Sequence, residues 1–298
     1  MGAADSVPGV SGGTIAFITG IYERLIAAIT GIDVALIATL PRLHTAAGRT
    51  AFRERLVRMD AAFLVVLGTG VVSAVVLVSR VVQAALAAAP APTYAFFFGL
   101  IAASAVVLYG EVSLGTPGRL AAAAVGFALA FVVSGVTQAT GLGHSVAFVF
   151  AAGAVAITAM ILPGISGAFF LLLLGQYDYL TATLTIFTDG LVALADGASL
   201  GRLVEPGVTI AAFAAGALVG LLTIAHVIRW ALTEHRAATL AFLVSLMVGA
   251  LRLPIAEVLA NTTAWTTAAA VVVVAAALAG AGVVLLLDHY TDDLEYGA

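Results

Sequence analysis

The chain has 298 residues, of which 62% are hydrophobic and only 9% are charged. A soluble domain of this size could not cover its surface with so few polar side chains, so the composition predicts an integral membrane protein. The net charge of −4 argues against a nucleic-acid partner, and the absence of cysteine excludes disulfides and thiolate metal sites. The five histidines lack the spacing of metal ligands, so neither a metal nor another cofactor is predicted.

A glycine-rich motif occurs twice, once in each half of the chain. The first copy runs from Pro8 to Leu25 and the second from Pro163 to Leu180, an offset of 155 residues. The identical positions are Pro8, Gly9, Ser11, Gly12, Gly20, Tyr22 and Leu25, which recur as Pro163, Gly164, Ser166, Gly167, Gly175, Tyr177 and Leu180. Two matched apolar segments interrupted by Gly and Pro indicate the binding site of a transporter.

The N-terminal part of the chain combines this motif with a polar loop. The residues before Pro8 are too few to span a bilayer. From Ser11 the motif predicts a helix, and Glu23 and Arg24 favour a re-entrant segment because both charges are unfavourable at mid-membrane. The polar loop Pro41–Asp60 carries five arginines, so the positive-inside rule predicts that it is cytoplasmic.

The rest of the chain consists of long apolar runs. Helices are predicted rather than barrel strands, because the runs are continuous and do not alternate between polar and apolar residues. In chain order the predicted spans are Ala61–Ser79, Tyr94–Gly110, Leu120–Val136, Ser145–Leu162, Ser166–Phe187, Pro206–Ile228, Ala237–Leu251 and Trp265–Leu287.

The internal repeat extends beyond the motif. With an offset of 146 residues, Leu67–Leu86 aligns with Phe213–Leu232, and Gly99–Val112 aligns with Ser245–Val258. The predicted fold is therefore all-α, with two repeats that each contain a Pro-Gly-broken, re-entrant-like helix pair followed by three transmembrane helices. Because three is odd, the second repeat is expected to be inverted in the membrane.

These repeats form one membrane domain. The first is predicted at residues 1–140 and the second at residues 141–298. Only the second has an apolar lead-in to its motif, so the lead-in helix of the first is expected to be missing or truncated.

The motif itself predicts an anion site. Proline ends one helix, and the next helix begins with unpaired backbone N–H groups beside a serine hydroxyl, an arrangement that suits phosphate. The predicted phosphate-binding residues are Ser11, Gly12, Gly13, Thr14, Ser166 and Gly167, and the predicted helix breaks are Pro8, Gly9, Pro163 and Gly164. The alternative is that these residues only kink helices and allow close packing.

A few charged residues near apolar runs complete the candidate site. Arg24, Arg80 and Arg252 are candidate phosphate partners; the alternatives are snorkelling to the interface and, for Arg24, a pair with Glu23. Glu23 and Asp178 are candidate coupling acids for a proton or another cation, or solvated interfacial charges. Two further acids, Glu111 and Glu257, align with each other and are interpreted as rim charges.

These stretches resemble a known family. The opening GAADSVPGVSGGTIAFITGIYERL, the second PGISG copy and the FFFGLIAAS stretch from Phe96 are similar to the polyprenyl-phosphate transporter family. The resemblance implies that a lipid carrier such as undecaprenyl phosphate is translocated across the cytoplasmic membrane, so that it returns to glycan and cell-envelope assembly.

Two other function classes remain open at this stage. The undecaprenyl-pyrophosphate phosphatase family carries a similar motif, but its arginine after serine is replaced here by Gly12 and Gly167, and no E-x-x-x-E pair precedes either copy. Hydrolysis therefore lacks a general base and a partner for transition-state charge. A small-anion carrier or channel differs from a lipid translocase in whether its cavity opens to lipid.

Overall fold

The computed structural model describes residues 1–31, 44–110, 112–140, 143–160, 166–197, 199–223, 230–231 and 234–295. These residues form helices and no strand, which confirms the all-α prediction. The helices are α1 (Gly2–Asp5), α2 (Gly12–Ile18), α3 (Tyr22–Thr30), α4 (Ala46–Arg58), α5 (Ala61–Ala88), α6 (Pro90–Tyr109), α7 (Pro117–Thr140), α8 (Val146–Met160), α9 (Gly167–Leu173), α10 (Tyr177–Ala195), α11 (Val204–Leu222), α12 (Arg236–Ala250), α13 (Arg252–Asn261) and α14 (Thr267–Glu295).

The described helices confirm a multi-pass membrane protein. Six segments are long and apolar enough to cross a bilayer. They are Ala61–Ala88, Pro90–Tyr109, Pro117–Gly135, Leu200–Leu221, Arg236–Asn261 and Thr267–His289. The pair α9 and α10 would add a seventh if it crosses as one broken span.

The predicted span Ser166–Phe187 is broken into two helices in the structure. The chain bends by 110° between α9 and α10. The break contains Gly175 at φ +66°, a left-handed conformation that glycine adopts without steric cost. The equivalent Gly20, at φ +70°, separates α2 from α3 in the first copy. The motif therefore specifies a second helix break that the Pro-Gly pattern did not reveal.

The polar segment before the first span also differs from its prediction as a loop. It contains helix α4, which begins after Thr45, whose hydroxyl accepts a hydrogen bond from the Gly48 N–H at 3.0 Å. Arg55 and Arg58 lie in its last turn, where positive charge is favourable beside the exposed carbonyl ends. A capped, arginine-rich sequence forms a helix even without an apolar face.

Small residues let the long helices approach closely. Between α6 and α14, a Cβ on Gly99 would lie 1.9 Å from the Ala277 carbonyl oxygen. Between α7 and α12, a Cβ on Gly126 would lie 2.2 Å from the Phe242 carbonyl oxygen. Close contact between helix backbones is typical of helices that associate within lipid, because the burial of apolar surface contributes little to helix association there.

These helix contacts are reciprocal between the two aligned halves. Helix α6, the second span of the first half, packs on α14, the third span of the second half. Helix α7, the third span of the first half, packs on α12, which aligns with α6. Two repeats of one fold would give this exchange; their inversion in the membrane stays a prediction.

Candidate functional site

The turn of the first motif copy is fixed against α6. Pro8 is fully buried, and Gly9 adopts φ +92° with its backbone against Leu100 and Ile101. The Ser104 hydroxyl donates a hydrogen bond to the Gly9 carbonyl at 2.5 Å. A β-carbon on Gly9 would lie 2.9 Å from the Leu100 carbonyl carbon, so this turn needs glycine for both its conformation and its close packing.

The second motif copy makes two hydrogen bonds to the residues just before the first copy. Ser166 caps α9 by accepting from the Phe169 N–H at 3.3 Å, and its hydroxyl also contacts the Val7 carbonyl at 3.3 Å. The Tyr177 hydroxyl donates to the Ser6 carbonyl at 2.6 Å. Two segments that are 155 residues apart in the sequence therefore meet at the residues just before Pro8.

The predicted phosphate-binding residues are largely buried. Ser11, Gly12 and Gly13 are buried in the first copy, and Ser166 and Gly167 are buried in the second. The side chain of Thr14, and both Pro163 and Gly164, lie outside the described residues. Each serine-glycine pair is thus buried in the structure, and a phosphate site formed by both pairs stays a prediction.

Sequence reasoning missed Asp5. Its carboxylate accepts a hydrogen bond from the Gly12 N–H at 2.8 Å, and the residue is only 6% exposed. A carboxylate is favoured beside the unpaired N–H groups that begin a helix, so Asp5 occupies a position where an anion is stabilised. The available signal was an acid three residues before the Pro-Gly pair.

Asp178 is held by residues from α5 and α6. One of its carboxylate oxygens, Oδ2, accepts a hydrogen bond from the Tyr94 hydroxyl. The Gln83 amide donates to the Asp178 carbonyl at 3.1 Å and to the Thr181 hydroxyl at 2.6 Å. This predicted coupling acid is therefore integrated into the helix packing and is not a solvated interfacial charge.

Glu23 and Arg24 have a different environment. Both are exposed, and Arg24 pairs with Asp60 through Nε at 2.6 Å and Nη2 at 3.1 Å, which corrects the alternative of a pair with Glu23. The guanidinium also lies 4.3 Å from the ring centre of Phe63. Because Arg24 donates to it, the pKa of Asp60 lies below its ordinary value.

The other two candidate arginines also have partners. Arg80 pairs with Asp189 and donates to the Thr188 hydroxyl at 3.0 Å. Arg252 donates to the Phe131 carbonyl at 2.8 Å and lies 4.3 Å above the Phe131 ring. A role for either arginine in phosphate binding stays a prediction that requires these contacts to be exchanged.

Comparison with known proteins gives a consistent result. Residues 1–272 match the family described as VCA0040-like, undecaprenyl phosphate translocase-like. The chain is 34% identical over 252 residues to a polyprenyl-phosphate transporter of Vibrio cholerae serotype O1, covering 84% of this chain and 73% of that protein. No solved structure matches the chain significantly.

Proposed function

We infer that this chain, which belongs to the undecaprenyl phosphate translocase-like family, moves a polyprenyl phosphate between the two faces of its membrane. The relative from Vibrio cholerae carries the name polyprenyl-phosphate transporter and aligns over most of both chains. The six described apolar spans provide the membrane domain that such a movement requires.

We propose the cytoplasmic membrane as the location, with the arginine-rich segment Pro41–Asp60 on the cytoplasmic side. Arginines near the end of a span favour this orientation. The carrier lipid would then be returned to the cytoplasmic face for another round of glycan assembly. Undecaprenyl phosphate is the carrier named in the family description, and it is the first substrate to test.

The phosphate would bind where the two motif copies meet. The observation that supports this proposal is the hydrogen bond from the Ser166 hydroxyl to the Val7 carbonyl, which joins the second Ser-Gly pair to the residues just before the first motif copy. Ser11, Gly12, Gly13 and Thr14 would contribute from the first copy, and Ser166 and Gly167 from the second. The prenyl tail can stay in lipid, since only the head group needs polar partners.

Asp5 would compete with the substrate in this cradle. Its carboxylate accepts the Gly12 N–H, one of the donors that the phosphate would use. A phosphate and a carboxylate so close together repel each other strongly in a buried site. Substrate binding therefore requires Asp5 to move away or to become protonated.

Charge compensation and coupling are assigned to the remaining candidates. Arg24, Arg80 or Arg252 would approach the phosphate by exchanging its present partner during the transport cycle. Glu23 and Asp178 are the proposed coupling acids for a proton or cation. Of these two, Asp178 is better supported, because its carboxylate is inside the helix packing.

The test is a head-group accessibility assay in proteoliposomes that contain labelled undecaprenyl phosphate. We expect the wild type to expose inner-leaflet head groups to an external reagent. The double variant Ser11→Arg/Ser166→Arg should lose this movement, because two long cations would fill the cradle. Ser199→Arg, at an exposed cap outside the motifs, is the matched control and should retain it.

Parallel assays distinguish the other function classes. Release of inorganic phosphate from undecaprenyl pyrophosphate by the wild type, absent from the double variant, would replace the translocase with a phosphatase. Movement of inorganic phosphate without movement of the lipid would instead identify a small-anion carrier.

A further inference from the structure

A small cavity lies beside Asp178. It has a volume of about 160 Å³, and its lining includes Asp178 of α10, Tyr94 of α6 and Glu257 of α13. Leu172 and Leu253 contribute apolar walls. The cavity thus joins residues from both halves of the chain, and it includes Glu257, which sequence reasoning interpreted as a rim charge.

The two carboxylate oxygens of Asp178 have unequal surroundings. Oδ2 accepts from the Tyr94 hydroxyl, whereas Oδ1 is buried and has no hydrogen-bond partner among the residues that the structure describes. A buried carboxylate oxygen without a donor is strongly unfavourable. A proton on Oδ1 removes this penalty, because the neutral carboxyl group is much less costly to bury.

Glu257 faces the same small volume from a different helix. It lies one turn before Asn261, whose side-chain amide donates to its carbonyl at 2.8 Å and to its carboxylate at 3.3 Å. None of the described residues that line the cavity is basic. Two carboxylates that share a confined site favour retention of one proton, because like charges there repel each other.

We propose that Asp178 and Glu257 form a proton-binding pair that takes up and releases one proton during the transport cycle. On uptake, a hydronium ion transfers its proton to Asp178 Oδ1 and leaves a water molecule. On release, the proton returns to water and the Asp178 carboxylate is restored. The link to transport rests on the proposed lipid translocation, but proton binding by the pair can be measured separately.

The charged and titratable groups around Asp178 are compatible with this role. Tyr94 and Tyr177 line the cavity, and His144 stacks on the neighbouring Tyr179 at 3.9 Å between ring centres. Asp5 precedes Ser6, whose backbone carbonyl accepts a hydrogen bond from the Tyr177 hydroxyl.

The charged residues near the C-terminal end of α10 lie away from Asp178. Arg80 of α5 forms an ion pair with Asp189 of α10. Asp189 lies 11 residues after Asp178, which is about 16 Å along the helix at 1.5 Å per residue. Helix α11 packs on α10; Arg202 lies just before α11, and Glu205 lies in its first turn. Among the described residues that line the cavity, Asp178 and Glu257 are the two that carry carboxylates.

Infrared difference spectroscopy of the purified full-length protein, recorded between acidic and alkaline pH, tests proton binding directly. We expect a protonated-carboxyl band that disappears in Asp178→Asn and shifts in Glu257→Gln. Asp196→Asn, at the exposed end of the same helix, should leave the band unchanged. A band that persists unaltered in both Asp178→Asn and Glu257→Gln would overturn the assignment.

A second, more conservative variant tests the assignment even if the Asp178 and Glu257 variants fail to fold. Tyr94→Phe removes only the hydroxyl that donates to Oδ2, so the carboxyl band should move to higher frequency as its hydrogen bond is lost. An unchanged band frequency in Tyr94→Phe would contradict Asp178 as the carrier of the proton.

The coupling is tested with a pH gradient across proteoliposomes. The gradient should accelerate head-group movement at least tenfold in the wild type and in Asp196→Asn, but not in Asp178→Asn. Acceleration by a sodium gradient in place of the pH gradient would overturn proton coupling. If the carboxyl band is present but no lipid moves under any gradient, the proton site stands and the proposed translocation fails.

Discussion

The two motif copies share a left-handed turn at Gly20 and Gly175 but differ in chemistry at other equivalent positions. In the first copy, the Asp5 carboxylate contacts the Gly12 N–H. In the second, the residue 155 positions later is Met160, and its side chain packs directly on Gly167. One copy therefore has a carboxylate where the other has an apolar thioether, so the two halves of the proposed phosphate site are not equivalent.

The acids that follow the motif glycines also differ between the copies. Glu23 is exposed, and the neighbouring Arg24 pairs with Asp60 at the start of α5. Asp178 instead contacts Tyr94 within the helix packing. The proposed substrate competition therefore concerns the first copy, and the proposed proton exchange concerns the second.

The largest expected effect on stability comes from adding one methyl group to the equivalent glycines Gly12 and Gly167. In Gly167→Ala the new Cβ would lie 2.7 Å from the Ala156 carbonyl oxygen, which belongs to rigid helix backbone. In Gly12→Ala its three nearest atoms would all belong to the Asp5 side chain, at 2.0–2.4 Å. We expect Gly167→Ala to lower the free energy of unfolding by about 2–3 kcal/mol and Gly12→Ala by about 1 kcal/mol, the range of overpacked cores.

Thermal and denaturant unfolding in detergent, followed by tryptophan fluorescence, measures this difference. Gly70→Ala is the control, because a Cβ there meets nothing within 4 Å. Combining Asp5→Ala with Gly12→Ala should recover part of the lost stability, since the clashing side chain is gone. Equal losses in the two glycine variants would contradict the proposed difference between the copies.

Neutralising Asp5 should increase substrate affinity. Asp5→Asn keeps an oxygen for the Gly12 N–H but removes the buried negative charge that repels the phosphate. We expect binding of a short-chain polyprenyl phosphate to tighten by about tenfold, or about 1.4 kcal/mol, as measured by native mass spectrometry or calorimetry. Met160→Leu, the counterpart in the second copy, should leave the affinity unchanged, and weaker binding by Asp5→Asn would refute competition.

The Arg24–Asp60 pair gives the smallest expected effect, because both side chains are exposed to screening solvent. The pKa of Asp60 is lowered in the folded state. The Arg24–Asp60 pair therefore stabilises the folded protein at pH values above the ordinary carboxyl pKa of about 4. This contribution disappears as pH falls through the lowered pKa.

Unfolding temperatures measured against pH check this sign. The difference between wild type and Arg24→Gln should be small at neutral pH and vanish in acid. Arg53→Gln, on exposed α4, is the control that should show no such pH dependence. A difference that grows as the pH is lowered would be inconsistent with the pair.

The repeated residues of the proposed site could be selected from the sequence because the Pro-Gly-Ser-Gly pattern is duplicated. The Ser166–Val7 hydrogen bond was not predicted, because Val7 lies outside the repeated pattern. Asp5 and Tyr94 were not predicted, because neither belongs to the repeated pattern. Glu257 was interpreted as a rim charge because a single acid at the end of an apolar run carries no information about which helix it faces.

The sequence by itself determined the membrane class, the all-α fold, the approximate position of six of the eight predicted spans, and the family. These properties follow from local composition and from matches along the chain, which require no knowledge of distant contacts. Only the tertiary structure decided that Asp5 accepts the Gly12 N–H, that Arg24 pairs with Asp60, and that Asp178 and Glu257 share a cavity. The physical reason is that hydrogen bonds and ion pairs between helices depend on how each helix is rotated about its axis and how deep it lies in the membrane. An apolar sequence leaves both quantities nearly unconstrained.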